Sequence, residues 1–320
     1  MNTSKVNSAT GPLLHTPPRE CPNTGIFKII PGSYDCPMNL RISPAWHLLP
    51  LSLTVSMALF TSIPDSSAES FETQEIDKDV AIGYGVALAD VNGDGSTDIV
   101  LCDKNDIYWY SNPGWTKHRV VHQLTERDHV CLDAADINGD GKAEIAAGAE
   151  WNPGNTLNSG SLHYLVPGHD RTAQWSPVTL PNEPTIHRIR WIDGPFGQKQ
   201  LLVAPLHGRG NTGGQGAGVL LEAYTFPGDP SREWPRTLVN GELHMTHNVD
   251  PVQMDADPEH EILIAAREGI YLADWKGYAW VSTQLAGPES GHQDFIGASE
   301  VRLGRMKNGS AFFATVEAFH

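Results

Sequence analysis

Ala89-Asp90-Val91-Asn92-Gly93-Asp94-Gly95-Ser96-Thr97-Asp98-Ile99 decides the fold, because the chain writes it again as Ala135-Asp136-Ile137-Asn138-Gly139-Asp140-Gly141-Lys142-Ala143-Glu144-Ile145. Weaker echoes come at Trp191-Ile192-Asp193-Gly194, at Gln253-Met254-Asp255-Ala256-Asp257-Pro258-Glu259-His260-Glu261, and at Arg302-Leu303-Gly304. With Asp90, Asp136, Asp193, Asp255 and Gly304 as phase markers, the spacings are 46, 57, 62 and 49 residues. A second marker keeps the same phase: glycine turns at Gly114, Gly168, Gly228 and Gly277, each followed by a tryptophan (Trp115, Trp175, Trp234, Trp280). Between the markers lie short β-branched or aromatic runs bounded by Gly, Pro, Asn and Asp, which read as strands. Examples are Asp98–Cys102, Ile107–Tyr110, Leu201–Ala204, Val219–Tyr224, Ile262–Ala266 and Ile270–Ala273. After residue 71 no stretch keeps a 3.6-residue period long enough for a helix. A repeat of about 50 residues built from four strands is one β-propeller blade. The fold class is therefore all-β, a β-propeller with four blades and the opening of a fifth. Phe71–Ile76 is expected to serve as the outer strand of the final blade.

Outward from the repeat, composition narrows the function. The chain has 320 residues, room for one large domain or two modest ones, with 22 basic and 38 acidic residues and a net charge of −16. That balance excludes nucleic acid and anionic membranes as partners, since both are held by Lys and Arg. Gly 31 and Pro 23 suit a turn-rich fold. Cys21, Cys36, Cys102 and Cys131 are too few and scattered for a disulfide scaffold, and allow one disulfide or none. Residues 1–37 carry no periodicity and are expected to be a disordered upstream extension, with Met38 as the true start. Residues 38–68 then read as a signal peptide, with Leu51–Phe60 as its apolar core and cleavage after Ala68. A membrane anchor is the alternative, though His47 and Pro50 break the apolar run. Residues 69–320 form the propeller, placed in a secreted or periplasmic compartment with no membrane contact after cleavage.

The repeat also carries chemistry. Asp90, Asn92, Asp94 and Asp98 present oxygens at alternating positions, with a glycine for the sharp turn, as a hard cation with six to eight oxygen ligands requires. Asp136, Asn138, Asp140 and Glu144 repeat the set. An EF-hand would need flanking helices and a glutamate at loop position twelve, so calcium in strand–loop–strand hairpins is expected. A metal-free Asx-turn is the alternative. In blade four the loop from Asp255 lacks the glycine and falls two residues short, and blade three keeps only Asp193.

Three histidines lead into innermost strands: His129 seven residues before Asp136, His187 six before Asp193, and His247 eight before Asp255. Innermost strands line the channel, so the three are expected to converge with Arg188, His244 and Glu300 nearby. Neutral imidazoles suit Zn²⁺ or a similar divalent metal, and the spacing accommodates metal-free acid–base work equally. The glycine-rich stretch Leu206–Gly218 contains Gly208-x-Gly210-x-x-Gly213, but a strand comes after it, so no helix N-terminus exists for a phosphate. It reads as a flexible loop offering His207 and Arg209 to a substrate.

The calcium loops resemble those of FG-GAP (VCBS) repeats in integrin-like propellers. Ile186-His187-Arg188-Ile189, Val203-Ala204-Pro205, His244-Met245-Thr246-His247, Ile264-Ala265-Ala266-Arg267-Glu268-Gly269 and Val316-Glu317-Ala318-Phe319-His320 resemble the propeller of the fungal aldos-2-ulose dehydratase/isomerase (1,5-anhydro-D-fructose dehydratase) family, over roughly residues 120–320. The resemblance implies a propeller that is seven-bladed when complete and is cut short here in blade five. It also implies a cupin-like C-terminal domain missing from this chain, and a divalent metal, zinc. It carries His129, His187, His247 and His320 over as catalytic positions, with Arg188, His207, Arg209, His244, Glu300 and Glu317 as substrate contacts. The expected activity is metal-assisted β-elimination or isomerisation on a keto-sugar or other carbohydrate, a carbon–oxygen lyase. The alternative is a non-catalytic, calcium-stabilised propeller that binds glycans or a protein partner.

Overall fold

The computed structural model describes residues 26–31 as backbone, and residues 71–291 and 294–319 with their side chains. Strand β1 is Ile26–Pro31. Blade one is β2 (Gly85–Ala89), β3 (Asp98–Cys102), β4 (Asp106–Ser111) and β5 (Thr116–His122). Blade two is β6 (Cys131–Ala135), β7 (Glu144–Ala149), β8 (Ser161–Val166) and β9 (Ser176–Leu180). Blade three is β10 (Ile186–Asp193), β11 (Lys199–Pro205), β12 (Leu221–Thr225) and β13 (Arg236–Asn240). Blade four is β14 (Thr246–Val252), β15 (Glu261–Ala266), β16 (Ile270–Trp275) and β17 (Trp280–Ala286), and blade five contains β18 (Glu300–Arg305) and β19 (Ala311–Glu317). The first four blades are antiparallel meanders in sequence order. The strands read from β-branched runs all appear; only the one expected over Val219–Tyr224 starts later, at Leu221.

Each blade is apolar on both faces, and the core lies between blades. Four buried clusters occupy the four junctions, one between each successive pair. Leu132 faces blade one, Ile189 blade two, Val249 blade three and Val301 blade four. Their counterpart in β2 is Val86, matched by its register against the second strand. Among the described residues no blade packs in front of Val86, which is 62% exposed, against 2% for Leu132. The tryptophan marker obeys the same rule. Trp175, Trp234 and Trp280 plug the junctions with the preceding blade, whereas Trp115 in blade one stays half-exposed. Strands β7 and β15 are buried along their whole length because neighbours cover both faces. Cys102 and Cys131 are buried free thiols.

Phe71–Ile76 is not the outer strand it was expected to be. The segment is irregular and Phe71 is exposed. Blade one instead holds the residues just after it: Asp77 accepts from the Tyr110 hydroxyl and pairs with Lys117, both at 2.6 Å. Asp103 then accepts the amides of Ala81, Ile82 and Gly83. In blade five it is β1 that pairs antiparallel with β19, so Ile26–Pro31, read from sequence as part of an unstructured extension, has a strand backbone. Residues 38–68, expected to be a signal peptide, lie outside the described residues.

His163, on β8, is 5% exposed, with Ser161 Oγ at 2.9 Å and Thr179 Oγ1 at 3.3 Å from its ring nitrogens. Burial pushes its pKa from 6.5 down to about 4. The unfolded chain therefore takes up this proton first, and stability present above pH 6.5 is lost as pH falls towards 4. The melting-temperature advantage of wild type over His163→Gln should shrink across that interval. A constant difference refutes it.

Candidate functional site

The innermost strands β2, β6, β10, β14 and β18 surround a central cleft of about 200 Å³, lined among others by Tyr84, Arg188, Arg190, Asn248, Glu300 and Arg302. Arg188, Asn248 and Glu300 hold one register position in blades three to five, and Arg190, Asp250 and Arg302 lie two residues further on. Side chains two apart share a strand face. That face carries polar links to the next blade: Asp133 accepts the Trp191 amide at 2.6 Å, and Arg302 donates to Asp250 at 2.6 Å. Asn248 donates to Glu300, which also accepts the Val301 amide at 3.2 Å and has Arg302 at 3.4 Å. Arg188 and Arg190 each donate to the carbonyl of the residue before them, His187 and Ile189.

The ladder slips by one residue between Ile186 and Arg188, and again between Thr246 and Asn248. The inserted residues are His187 and His247. A bulge takes its side chain out of the pleat and re-aims it. Here it brings the two rings to 4.6 Å between centroids. His187 Nδ1 donates to the His247 carbonyl at 3.1 Å, and His247 Nδ1 donates to the Ser299 carbonyl at 2.7 Å. A carbonyl only accepts, so both rings carry their proton on Nδ1 when neutral, leaving Nε2 as the basic atom. Arg188 Nη1 lies 3.4 Å from His187 Nε2. Trp151 stands against His187 and Phe319 against His247, at 5.2 and 5.7 Å between centroids.

His129 does not join this pair, which corrects the expected convergence of three histidines. Blade two has no bulge at the start of β6, and His129 lies in the loop before that strand. It is fully buried, its Nε2 accepts the Leu124 amide at 3.2 Å, and burial lowers its pKa. Arg209 is likewise turned away, bound to Glu183 at 3.0 Å and to the Leu157 carbonyl. The loop read as flexible is pinned by buried Asn211, which donates to the Ala217 and His244 carbonyls. His207 is half-buried beside Thr185, whose hydroxyl accepts its amide, and burial lowers its pKa. His244 pairs with Glu268 at 3.4 Å, on a separate recess of about 500 Å³ between blades three and four. Glu317 accepts from Thr315, and His320 lies outside the described residues. Arg188 and Glu300 do line the cleft. Arg190, Asn248 and Arg302 were missed in the sequence, although stepping two residues along each innermost strand finds Arg190 and Arg302.

The Asp-rich loops fold on their own amides. Asp90 accepts from Gly93 at 2.7 Å and Gly95 at 2.7 Å, and Asp136 from Gly139 and Gly141 at 2.7 and 2.9 Å. These glycines have φ of 80–82°, which a side chain would strain. The acid that opens the second strand closes each loop, Asp98 accepting the Val91 amide and Glu144 that of Ile137. Blade four does the same seven residues back, Glu261 accepting the Met254 amide. That fixes a register the sequence misjudged. Gln253 holds the place of Asp90, Asp255 that of Asn92 and Asp257 that of Asp94, so the loop is of full length. The Asp257 amide donates to Asp255, as the Asp94 amide does to Asn92.

Antiparallel four-stranded blades with such loops between their first and second strands define an FG-GAP-type β-propeller. FG-GAP-like repeats match residues 90–147 and an FG-GAP repeat matches residues 132–165. The β-propeller domain of aldos-2-ulose dehydratase matches residues 159–320, just over half the chain, and the chain belongs to that family. No curated protein matches the sequence. Similar solved structures include BBS1N in complex with ARL6DN, soaked with lead, at 12% identity over 74% of this chain and 80% of that one, TM-score 0.36. Another is the PQQ-bound aldose sugar dehydrogenase from Streptomyces coelicolor, at 12% identity over 76% of this chain and 97% of that one, TM-score 0.36. Likeness at that level carries no argument about function.

The amide bonds to Asp136 need no ion. Asp136→Ala should therefore cost about 1–2 kcal/mol even in chelator, for two charge-assisted bonds at an exposed loop. Equal denaturation midpoints for variant and wild type in chelator would reject that account.

Proposed function

We propose that this propeller is the acting part of an exported carbon–oxygen lyase that removes water from a keto-sugar or a related sugar derivative. The observation that carries the reading is the pair of bulged imidazoles, His187 and His247, held in one tautomer at 4.6 Å beside Arg188. In β-elimination a proton leaves the carbon next to a carbonyl, its electron pair forms the new double bond, and the β-hydroxyl departs, taking a proton to become water. A neutral imidazole with a basic Nε2 is suited to taking the first proton. Arg188 and Arg190 border the cleft where negative charge on the carbonyl oxygen would be offset. Glu300, braced by Asn248 and Arg302, is an acceptor for sugar hydroxyls.

The donor set also fits a zinc-like ion. Metal-bound histidines characteristically give their other N–H to a carbonyl, as both rings do. His187 and His247 would hold such an ion. When bound, it supplies Lewis-acid polarisation of the substrate oxygens. His129 has no part in this reading.

A second reading, a glycan-binding propeller without chemistry, is favoured by the recess at His244 and Glu268, where Asn240, Tyr271, Ser282 and Gln284 present polar groups. In either case calcium occupies the loops of blades one and two. Adding CaCl₂ to chelator-treated protein should raise its melting temperature, and no rise would remove calcium from those loops.

The lyase reading is tested with 1,5-anhydro-D-fructose, monitoring the absorbance of the unsaturated product. His187→Ala and His247→Ala should each lower kcat at least about 100-fold. The double variant should be little worse than either, since groups acting as a unit are not additive. Saturable sugar binding by wild type with no turnover would favour the binding reading. Independent stability losses with unchanged turnover would make the histidines structural.

A further inference from the structure

The central cleft carries charge of the opposite sign to the rest of the chain. The protein has a net charge of −16, yet among the described residues the cleft is lined by three arginines, Arg188, Arg190 and Arg302, and a single acid, Glu300. The charge of Arg302 is answered, by Asp250 at 2.6 Å and Glu300 at 3.4 Å. Those of Arg188 and Arg190 are not. Each gives Nη1 to the carbonyl of the residue before it, and among the described residues neither is in an ion pair. Burial lowers the Arg188 pKa, with the charges of Arg190 and Arg302 adding to that effect and Glu300 opposing it. Asp133 attracts Arg190, but its carboxylate already accepts the Trp191 amide at 2.6 Å, and burial raises its pKa.

Asn248 gives a second, independent observation. It holds in blade four the register position that Arg188 holds in blade three, lines the same cleft and is 1% exposed. Its Nδ2 donates to Glu300, and an ionised carboxylate only accepts, so the amide nitrogen is fixed on that side. Asn248 Oδ1 is then left buried with no hydrogen-bond donor. A buried acceptor without a donor is destabilising by about as much as a lost hydrogen bond. In blades one and two the same register position is held by Gly85 and Cys131, whose side chains are too short to fill the space. Two incompletely used guanidinium forks and one orphaned acceptor thus border a cleft of about 200 Å³, room for a single sugar ring.

We propose that this cleft recognises a sugar acid, with the carboxylate held by Arg188 and Arg190 and a hydroxyl donating to Asn248 Oδ1. A guanidinium is planar and presents parallel N–H donors that match the two oxygens of a carboxylate. A neutral sugar would satisfy Asn248 and leave both cations unanswered. A simple anion would answer the cations and leave Asn248 without a donor. Only a ligand carrying both groups meets both needs. The proposal deepens the lyase reading by naming a substrate class for the same cleft; it rests on that reading for the place of the site and not for its chemistry.

The test is calorimetric titration of the full chain with D-glucuronate and D-glucose, which differ only in a carboxylate against a hydroxymethyl group. Glucuronate should bind at least about tenfold more tightly, as charge-assisted hydrogen bonds require. Arg188→Gln and Arg190→Gln should each weaken glucuronate at least about tenfold and leave glucose little changed. Should one of them fail to fold, the other decides. Arg209→Gln, whose guanidinium lies outside the cleft on Glu183, should change neither sugar. Equal binding of the two sugars, or a preference that survives both cleft variants, overturns the proposal. Glucose 6-phosphate should bind more weakly than glucuronate; tighter binding would make the anion a phosphate and overturn the carboxylate. Binding is read without turnover, so the two readings fail separately. Glucuronate bound with no lyase activity would remove the lyase and keep the sugar-acid site. Turnover of 1,5-anhydro-D-fructose with no preference for glucuronate would do the opposite.

Discussion

A sheet that is apolar on both faces cannot bury itself, and everything else in this molecule depends on that. Blades two, three and four each hide one face on the blade before and one on the blade after, so the core of the described residues is four separate layers between blades. Leu132 and Val86 are equivalent residues with opposite exposure, because among the described residues only Leu132 has a blade in front of it. Burial here measures the neighbour more than the residue.

Stacking also sets the distances on which the candidate site depends. Successive blades are close enough for a histidine ring of one to reach a main-chain carbonyl of the next, and the bulges at His187 and His247 use that reach twice in succession. The same geometry lets Asp133 hold the Trp191 amide and Asp250 hold Arg302. The imidazole tautomers are therefore consequences of how blades pack. A substitution that altered the junction of blades three and four would disturb the rings without touching them.

The Asp-rich loops show how far one repeat can drift while keeping its frame. The acid seven residues after the accepted amide is constant in role in blades one, two and four. Everything between can be rewired. Asp90 accepts from amides, Gln253 donates to carbonyls, and the carboxylates redistribute accordingly. Matching letters placed Asp255 on Asp90, whereas matching hydrogen bonds places it on Asn92.

The propeller class was legible in the sequence because a repeating blade leaves a repeating signal. The Asp-x-Asn-x-Asp-Gly loops, the tryptophans in phase with them and the strings shared with the dehydratase propeller each come from local chain geometry, which adjacent residues encode. The pairing of His187 with His247 was half legible. Similar spacing before the loop marker, six and eight residues, suggested it, but the seven-residue spacing of His129 wrongly included that residue. Whether a residue enters the strand as a bulge is settled by how the partner strand's register runs, against Pro205 and Ala204 in one blade and Ala266 and Ala265 in the next. The place of Phe71–Ile76 was likewise decided in three dimensions, by Asp77 finding Tyr110 and Lys117 from across blade one. Periodicity fixes what a segment can become; which surface it meets depends on contacts between residues far apart in the chain, and only the packing of the blades brings those together.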